Sequence, residues 1–318
     1  MKYYLGIDLG GTKIAAGVCD EQKNIVYKMS VPTNCPRDFK LITQDMLDLS
    51  KEVVKKVSLS MEQISWVGVG CPGSVNGDTG VIEYSNNLDF HNVNMLSIIK
   101  NALNKKVFID NDANAAAFGE YVAGASINAK TFVMITLGTG VGGGIVINDS
   151  IYRGFNFAGA ELGHMVIDMD GRQCTCTRKG CFEAYASATG LIMTTKEVMK
   201  KNTNSLMWKL CGGDINSVNG RTSFDAMKKG DLAAKEVVDI YIKHLATGLV
   251  NVVNIFQPEI LCIGGGISKE GKYLLDPLQK YFDEEVYSRN SSRNTKVVTA
   301  KLGNDAGIIG AAMLGFSR

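Results

Sequence analysis

The sequence carries at residues 3–18 the stretch YYLGIDLGGTKIAAGV, in which two apolar runs are joined by a Gly-Gly-Thr turn. Apolar runs on either side of a short glycine turn predict a β-hairpin. Residues 132–147, FVMITLGTGVGGGIVI, repeat this plan with Gly138, Thr139 and Gly140 at the turn. The same strand, turn and strand thus occur twice, roughly 130 residues apart, which indicates a duplicated domain.

Between and after the two hairpins, the spacing of apolar residues along the sequence changes. Phe39 to Val57, Ala113 to Val122 and Ala233 to Phe256 have the spacing of amphipathic helices. Trp66 to Gly70 and Lys106 to Asp110 have the character of short strands. Hairpins followed by alternating helices and strands predict an α/β fold in which helices cover a central sheet.

The length of 318 residues favours two domains. We place the boundary after the Ala-rich helix, so that residues 1–118 begin a small N-terminal domain and residues 119–304 form a large C-terminal domain. The last helix, Ala306 to Leu314, contains Gly307 and Gly310, which permit close packing. We therefore expect residues 305–318 to return to the first domain.

Composition narrows the class of protein. Thirty-four Lys and Arg residues against 32 Asp and Glu residues give a net charge of +2, and 45% of the residues are hydrophobic. This balance indicates a globular protein and excludes disorder, a dominant nucleic-acid partner or a polybasic membrane surface. Asp8 interrupts the place where a secretory signal needs its apolar stretch, and no apolar run reaches the length of a membrane span. The expected location is the cytoplasm.

The glycine turns suggest phosphate binding. A turn that leaves its backbone N–H groups unbonded offers a positive concavity to an anion, and threonine adds a hydroxyl donor. One isolated turn is better explained as a tight hairpin with a structural aspartate, but two turns in corresponding positions favour phosphate. Asp8, two residues before the first turn, is a candidate oxygen ligand for Mg²⁺. A third run, Gly264 to Gly266, follows a buried strand at Ile260 to Ile263.

A second candidate site lies at residues 107–117, VFIDNDANAAA, where a strand stops on three polar residues and a helix begins. Asp112 lies at or near the start of this helix. The helix dipole and N-cap bonding keep a carboxylate ionised there, which suits a group that accepts a proton. Capping alone explains one polar residue at this place but not all three.

Cysteines indicate a metal site. Eight cysteines in 318 residues are too sparse for a disulfide scaffold, yet three of them crowd together at Cys174, Cys176 and Cys181, close to His164. Three thiolates and one imidazole are the ligands of a closed tetrahedral zinc site. Such a site is structural, since no position is open for substrate, and it would fix the loop that carries Glu161 and Glu183. The alternative is a surface His164 beside unpaired thiols.

Taken together, these motifs resemble the ROK family of bacterial sugar kinases, within the actin/hexokinase/Hsp70 superfamily. The matching motifs are D-x-G-G-T-K at 8–13, D-N-D-A-N at 110–114, L-G-T-G-V-G-G-G at 137–144, E-x-G-H at 161–164, C-x-C-x4-C-x-E at 174–183 and I-G-G-G at 263–266. The resemblance implies duplicated ribonuclease-H-like, actin-like ATPase domains with an interdomain cleft. One departure is Thr177, where the family usually has glycine.

The resemblance also implies roles for individual residues. Asp112 would be the base of an ATP-dependent hexose kinase that acts at the 6-hydroxyl. The sugar would be bound by Asn87, Asn111, Asp112, Glu161, His164 and Glu183. Phosphates and Mg²⁺ would be held by Asp8, Gly10, Gly11, Thr12, Lys13, Gly138, Thr139 and Gly140, with Gly265 and Gly266 near the adenosine.

The expected substrate is glucose, because a pocket of polar groups suits a ring of equatorial hydroxyls and because the resemblance is to a family in which glucokinases are common. Kinases of N-acetylmannosamine, N-acetylglucosamine or fructose share the motifs and stay as alternatives, as does a catalytically silent sugar sensor. Repressors of the family carry a DNA-binding segment before the first hairpin, which here begins at Tyr3. A filament-forming or chaperone-like ATPase would not need the E-x-G-H motif and cysteine loop. The resemblance further suggests a homodimer or homotetramer.

Overall fold

The computed structural model describes residues 1–126 and 129–317. The chain divides into two compact units. The first unit comprises the described residues of Met1–Val133, Gly144–Ala160 and Lys301–Arg318, and the second comprises Met134–Gly143 and Glu161–Ala300.

The strands are numbered in chain order. They are β1 (Tyr3–Leu9), β2 (Lys13–Asp20), β3 (Ile25–Pro32), β4 (Ile64–Cys71), β5 (Ser74–Asn76), β6 (Val81–Ser85), β7 (Phe90–Asn94), β8 (Val107–Asn111), β9 (Thr131–Leu137), β10 (Val141–Ile147), β11 (Ser150–Ile151), β12 (Ile260–Gly265) and β13 (Lys296–Thr299).

The α-helices are numbered in the same way. They are α1 (Phe39–Lys56), α2 (Met95–Leu103), α3 (Asp112–Ala123), α4 (Glu183–Ala186), α5 (Ala188–Lys201), α6 (Leu206–Leu210), α7 (Thr222–Met227), α8 (Leu232–Phe256), α9 (Lys272–Glu285) and α10 (Ala306–Met313).

The first unit is built on a sheet with the strand order β3-β2-β1-β4-β8. Strands β1, β2 and β3 are antiparallel, as the predicted hairpin requires, whereas β4 runs parallel to both β1 and β8. In this register Gly70 of β4 is paired with Asp8 of β1 and with Asp110 of β8. The carboxyl ends of three neighbouring parallel strands thus gather polar residues at one edge, where open α/β sheets bind ligands.

Helix α10 lies directly on this sheet. A Cβ on Gly6 would lie 2.0 Å from the carbonyl oxygen of Ile308, and a Cβ on Gly68 would lie 1.8 Å from that of Ala311. The Trp66 indole N–H donates to the carbonyl of Ala312 at 2.8 Å. The last helix therefore packs within the first unit.

A second sheet has the order β11-β10-β9-β12-β13, which repeats the pattern of the first. In each sheet the opening strand of the glycine hairpin lies between its hairpin partner and a later strand. The predicted duplication is therefore confirmed in the topology. In the second unit the 25-residue helix α8 buries Val237, Tyr241 and Leu245, at i, i+4 and i+8, among neighbouring helices.

The helices and strands predicted from apolar periodicity are confirmed within one or two residues. The small sheet β5-β6-β7 and helices α2, α5 and α9 had no prediction. No helix in the described part of the chain is both long and apolar enough to cross a membrane.

The described residues of 119–133, together with residues 144–160, belong to the first compact unit. Gly144 packs on α3, where its Cβ would lie 2.4 Å from that of Ala117. The buried carboxylate of Glu120 accepts the backbone N–H groups of Lys301 and Leu302 at 3.1 and 2.6 Å, which fixes the returning chain. Whether 1–118 with 305–318, and 119–304, fold independently stays a prediction.

The contact between β4 and α10 predicts a large effect of a small substitution. Gly68→Ala should lower the free energy of unfolding by about 1–3 kcal/mol, because the added methyl displaces the helix backbone. Gly266→Ala is the matched control, since φ is −62° there and its Cβ would meet no described atom within 4 Å. Urea denaturation of both variants measures the difference, and equal stability of Gly68→Ala and wild type would contradict the packing described.

Candidate functional site

The first glycine turn, residues 10–13, contains backbone N–H groups that none of the described residues accepts. The Gly10 N–H donates to the carbonyl of Lys13 at 2.9 Å and closes the turn. Among the described residues, none accepts a hydrogen bond from the backbone N–H of Gly11 or Thr12. The turn therefore has the unbonded amides that an anion site needs.

Asp8 lies at the end of β1, just before this turn. Its carboxylate lies against Gly307 in the first turn of α10, where a Cβ would come within 2.6 Å of Oδ2. Burial raises the pKa of the Asp8 carboxyl, and the nearby Lys13 ammonium opposes that rise. A bound cation would favour the ionised carboxylate, so this oxygen donor fits Mg²⁺.

Asn87 faces the same turn. A Cβ on Gly11 would lie 3.3 Å from both the Cβ and the carbonyl oxygen of Asn87. The neighbouring Asn86 has a different contact, since its Oδ1 accepts the hydroxyl of Tyr84 at 3.1 Å. The structure thus brings Asn87, rather than Asn86, to the glycine turn.

The start of α3 separates the roles of Asn111 and Asp112. Asn111 is the N-cap residue, and its Oδ1 accepts the N–H groups of Ala113 and Asn114 at 2.8 and 3.3 Å. Its Nδ2 donates to the carbonyl of Gly73 at 3.1 Å. Asp112 is the first helical residue, and its Oδ1 accepts the Ala113 N–H at 2.9 Å. Asn111 is therefore the capping residue, and the Asp112 carboxylate lies beside it at the start of the helix.

Asp110, the first polar residue of this motif, fixes the end of β8 through the hydrogen bonds of its buried carboxylate. Its side chain is 4% exposed, and its Oδ2 accepts Arg153 Nε at 2.6 Å. Its Oδ1 accepts the Asn111 N–H at 2.8 Å and Asn114 Nδ2 at 3.0 Å. Sequence reasoning missed Arg153, because no motif links a residue at 153 to one at 110.

In the second unit, the four predicted metal ligands come together. The ligand atoms of His164, Cys174, Cys176 and Cys181 all lie within 4.8 Å of one another. Cys174 Sγ is 3.8 Å from His164 Nδ1, and the sulfurs of Cys176 and Cys181 are 3.6 Å apart. With zinc–sulfur bonds of about 2.3 Å, tetrahedral geometry separates two sulfurs by about 3.8 Å. The donor set and its spacing therefore fit Zn²⁺.

The backbone conformation at Thr177 is one that glycine adopts more easily, which accounts for the glycine usual at this position. Its φ is +72°, in the left-handed region that a β-branched residue rarely adopts. The Thr177 N–H donates to the carbonyl of Cys174 at 3.1 Å, so the tight turn between the cysteines is kept. The departure from the family pattern strains the backbone but moves no ligand away.

Glu183 joins the cysteine loop to the second glycine turn. Its Oε2 accepts the N–H of Val141 at 2.9 Å, directly after that turn, and its Oε1 accepts the hydroxyl of Thr175 at 3.3 Å. Glu161 begins the short turn that carries His164, whose N–H donates to the Glu161 carbonyl at 3.0 Å.

The second turn itself is fixed by α5. The Gly138 N–H donates to the Gly140 carbonyl at 3.0 Å, and the carbonyls of Gly138 and Thr139 accept from Ala188 N–H and the Thr189 hydroxyl, both at 2.8 Å. Gly265 has φ +85° and packs against Leu137, since its Cβ would lie 2.3 Å from the Leu137 carbonyl oxygen. A Cβ on Gly266 would meet no described atom within 4 Å.

The cysteine loop has a further support that sequence reasoning missed. The Tyr185 hydroxyl donates to Asp168 at 3.0 Å and accepts the Arg172 N–H at 2.7 Å. The Tyr185 ring stacks on His244 with centroids 4.4 Å apart. Burial lowers the pKa of His244, so the neutral ring is favoured in this stack.

Each unit thus assembles its own share of the predicted residues. The first unit gathers, at the ends of its parallel strands and at its glycine turn, Asp8, Gly10, Gly11, Thr12, Lys13, Asn87, Asn111 and Asp112. The second unit gathers Gly138, Thr139, Gly140, Glu161, His164, Cys174, Cys176, Cys181, Glu183, Gly265 and Gly266.

Three known proteins are similar to this chain over nearly its whole length. A glucokinase of Thermotoga maritima is 37% identical over 312 residues, which covers 98% of this chain and 96% of that protein. The crystal structure of a ROK family glucokinase from Streptomyces griseus, in complex with glucose and AMPPNP, matches with a TM-score of 0.82 at 32% identity and covers 98% of both chains. A xylose repressor of Caldicellulosiruptor bescii is 27% identical over 308 residues, which covers 96% of this chain and 76% of the repressor.

The family model described as "ROK family" matches residues 4–317, nearly the whole chain. The two matching sheets and the structural likeness give the actin-like ATPase fold that the motifs implied. By its motifs, its fold and this match, the chain belongs to the ROK family.

Proposed function

We propose that this chain is an ATP-dependent glucokinase that transfers the γ-phosphoryl group of ATP to the 6-hydroxyl of glucose. The observation that carries the proposal is the carboxylate of Asp112 at the start of α3, where Asn111 already provides the capping bonds. The likeness to glucokinases over nearly the full length of both chains supports it.

Asp112 is the proposed base. It accepts the proton of the attacking hydroxyl as the bond from that oxygen to the γ-phosphorus forms and the bond from phosphorus to the bridging oxygen breaks, releasing ADP. The helix N-terminus stabilises the ionised form of Asp112 before reaction. Phosphoryl transfer depends chiefly on in-line positioning and charge stabilisation, so the base accepts the proton late. The Asp110–Arg153 pair holds the strand end and thus the direction of this carboxylate.

Six polar side chains are the proposed sugar-binding groups. They are Asn87, Asn111, Asp112, Glu161, His164 and Glu183. Hydroxyl-bearing substrates satisfy such groups together, and analogues that leave one of them unpaired are rejected. Because His164 Nδ1 faces the cysteine sulfurs, its Nε2 is the ring atom available to a sugar hydroxyl.

The nucleotide is held by backbone amides. Gly10 to Lys13 and Gly138 to Gly140 bind its phosphates, and Gly265 and Gly266 lie near the adenosine. Asp8 holds Mg²⁺, directly or through water. When bound, Mg²⁺ supplies positive charge that neutralises the phosphate oxygens.

The cysteine cluster holds a structural Zn²⁺ through His164, Cys174, Cys176 and Cys181. When bound, Zn²⁺ would link the three cysteines of the loop to His164, as closed four-ligand sites do. The loop in turn positions Glu183, whose Oε1 lies 3.9 Å from Cys174 Sγ.

The assembly is a homodimer or homotetramer in the cytoplasm, where ATP and hexoses are available, and sedimentation velocity distinguishes the two.

A second candidate is a sugar-responsive regulator without catalysis, because a xylose repressor is among the relatives. Production of ADP that depends on added sugar separates the two functions.

A panel of glucose, mannose, fructose, N-acetylglucosamine and N-acetylmannosamine with MgATP fixes the substrate. Glucose should have the highest kcat/KM, and a rival sugar more than about tenfold better, about 1.4 kcal/mol of transition-state binding, would exclude glucokinase but keep kinase.

Asp112→Asn tests the base. We expect kcat to fall by about 10² to 10⁴, the usual effect of removing a general base, with little change in sugar binding. Asp38→Asn is the matched control, because Asp38 is the N-cap of α1 and accepts the Lys40 N–H at 2.8 Å. If turnover of Asp112→Asn stays within about threefold of the control, Asp112 acts only at the helix terminus and the proposed mechanism fails.

Metal analysis tests the zinc site. Protein purified without chelator should contain about one zinc per chain, and Cys176→Ala should lose it and become more sensitive to proteolysis between residues 165 and 183. Cys211→Ala is the control, since Cys211 is also buried in the second unit but outside the cluster. Wild-type protein without zinc, or equal zinc in both variants, contradicts the assignment.

A further inference from the structure

Thr33, the residue directly after β3, contacts the first glycine turn through both its backbone and its side chain. Its N–H donates to the carbonyl of Thr12 at 3.0 Å, and its hydroxyl donates to the carbonyl of Gly10 at 2.6 Å. The side chain is fully buried, and the Thr33 carbonyl accepts Arg37 Nε at 2.7 Å. Arg37 also forms an ion pair with Asp45 of α1, so the group that binds the Thr33 carbonyl is itself fixed.

These two bonds fix the direction of the turn's amides. Both peptide bonds concerned, Gly10–Gly11 and Thr12–Lys13, are trans. In a planar trans peptide the N–H points opposite to the preceding carbonyl. With the carbonyls of Gly10 and Thr12 directed at Thr33, the N–H groups of Gly11 and Lys13 are directed away from it.

The Thr33 hydroxyl also replaces a bond that the turn would otherwise make within itself. In a two-residue hairpin turn the carbonyl of the first residue commonly accepts the N–H of the fourth. Here that bond would join the Gly10 carbonyl to the Lys13 N–H. The backbone bonds of the described turn include Gly10 N–H to Lys13 but not the reverse, and the Gly10 carbonyl accepts Thr33 instead.

We propose that Thr33 is a positioning residue for nucleotide binding. Its hydroxyl binds the Gly10 carbonyl and keeps this carbonyl directed at Thr33, so that the turn's N–H groups face the phosphates of a nucleoside triphosphate. The inference rests on the proposed function, in which residues 10–13 bind phosphate. Thr33 does not touch the nucleotide, and its effect passes through the turn. Loss of the hydroxyl would let the Gly10 carbonyl take the Lys13 N–H and remove one donor from the site.

The test is Thr33→Val, which keeps the backbone N–H and the buried volume but removes the hydroxyl. Thr33→Ser restores the hydroxyl. Thr43→Val is the matched control, because Thr43 is also buried in the first unit and its hydroxyl donates to a backbone carbonyl, that of Phe39, at 2.7 Å, on α1.

Binding of MgADP without sugar is measured by calorimetry, and KM for ATP and for glucose by steady-state kinetics. Thr33→Val should weaken MgADP binding and raise KM for ATP by about tenfold, about 1.4 kcal/mol, with KM for glucose within about twofold of wild type. Thr33→Ser and Thr43→Val should bind MgADP within about threefold of wild type. Unchanged MgADP affinity in Thr33→Val, an equal loss in Thr43→Val, or no recovery in Thr33→Ser would overturn the inference.

Two further outcomes are decisive. If Thr33→Val fails to fold, Thr33→Ala removes the same hydroxyl without added bulk, and loss of the fold in both would show a structural role in place of the proposed one. If wild type binds MgADP but forms no ADP with any sugar, the kinase proposal fails while the binding comparison still decides the role of Thr33. Wild type that does not bind MgADP contradicts both.

Discussion

The parallel register of β1, β4 and β8 is the constraint on which the first unit's site depends. Because Asp8, Gly70 and Asp110 are paired across the three strands, the strands end at one edge and their following residues meet there. The glycine turn continues β1, and the helix that carries Asp112 continues β8. A slip of one residue would turn every side chain of the shifted strand to the opposite face and disperse these groups.

Glycines without side chains serve two purposes in this frame. At Gly6 and Gly68 they let α10 approach the sheet closely, so that a segment from the far end of the chain completes the first unit. At Gly11 the backbone N–H has no acceptor among the described residues, and the Thr33 hydroxyl binds the Gly10 carbonyl that precedes it. In the second unit, Glu183 connects the cysteine loop to the corresponding turn by accepting the Thr175 hydroxyl and the Val141 N–H.

Most of the fold and much of the candidate site could be predicted from the sequence, because short motifs encode local structure. The glycine hairpins, the start of α3 and the His164–cysteine cluster each depend on residues close in the chain or on ligand chemistry that is hard to imitate. Contacts between distant residues gave no such signal. Arg153 binds Asp110 across 43 positions, and Glu120 binds the N–H of Lys301 across 181. Thr33 was missed because a lone threonine after a strand has no distinctive pattern.

The central claim is that backbone amides of the first turn, rather than side chains, take the phosphate. Amide NMR of the deuterated, ¹⁵N-labelled protein tests it most directly, because Gly11 and Thr12 N–H have no protein acceptor among the described residues. Without nucleotide these two amides should exchange rapidly with solvent. Saturating MgADP with glucose should shift both resonances and slow their exchange, while the N–H of Gly10, already bonded to Lys13, changes little. Binding of the nucleotide with the Gly11 and Thr12 resonances unchanged would contradict the account.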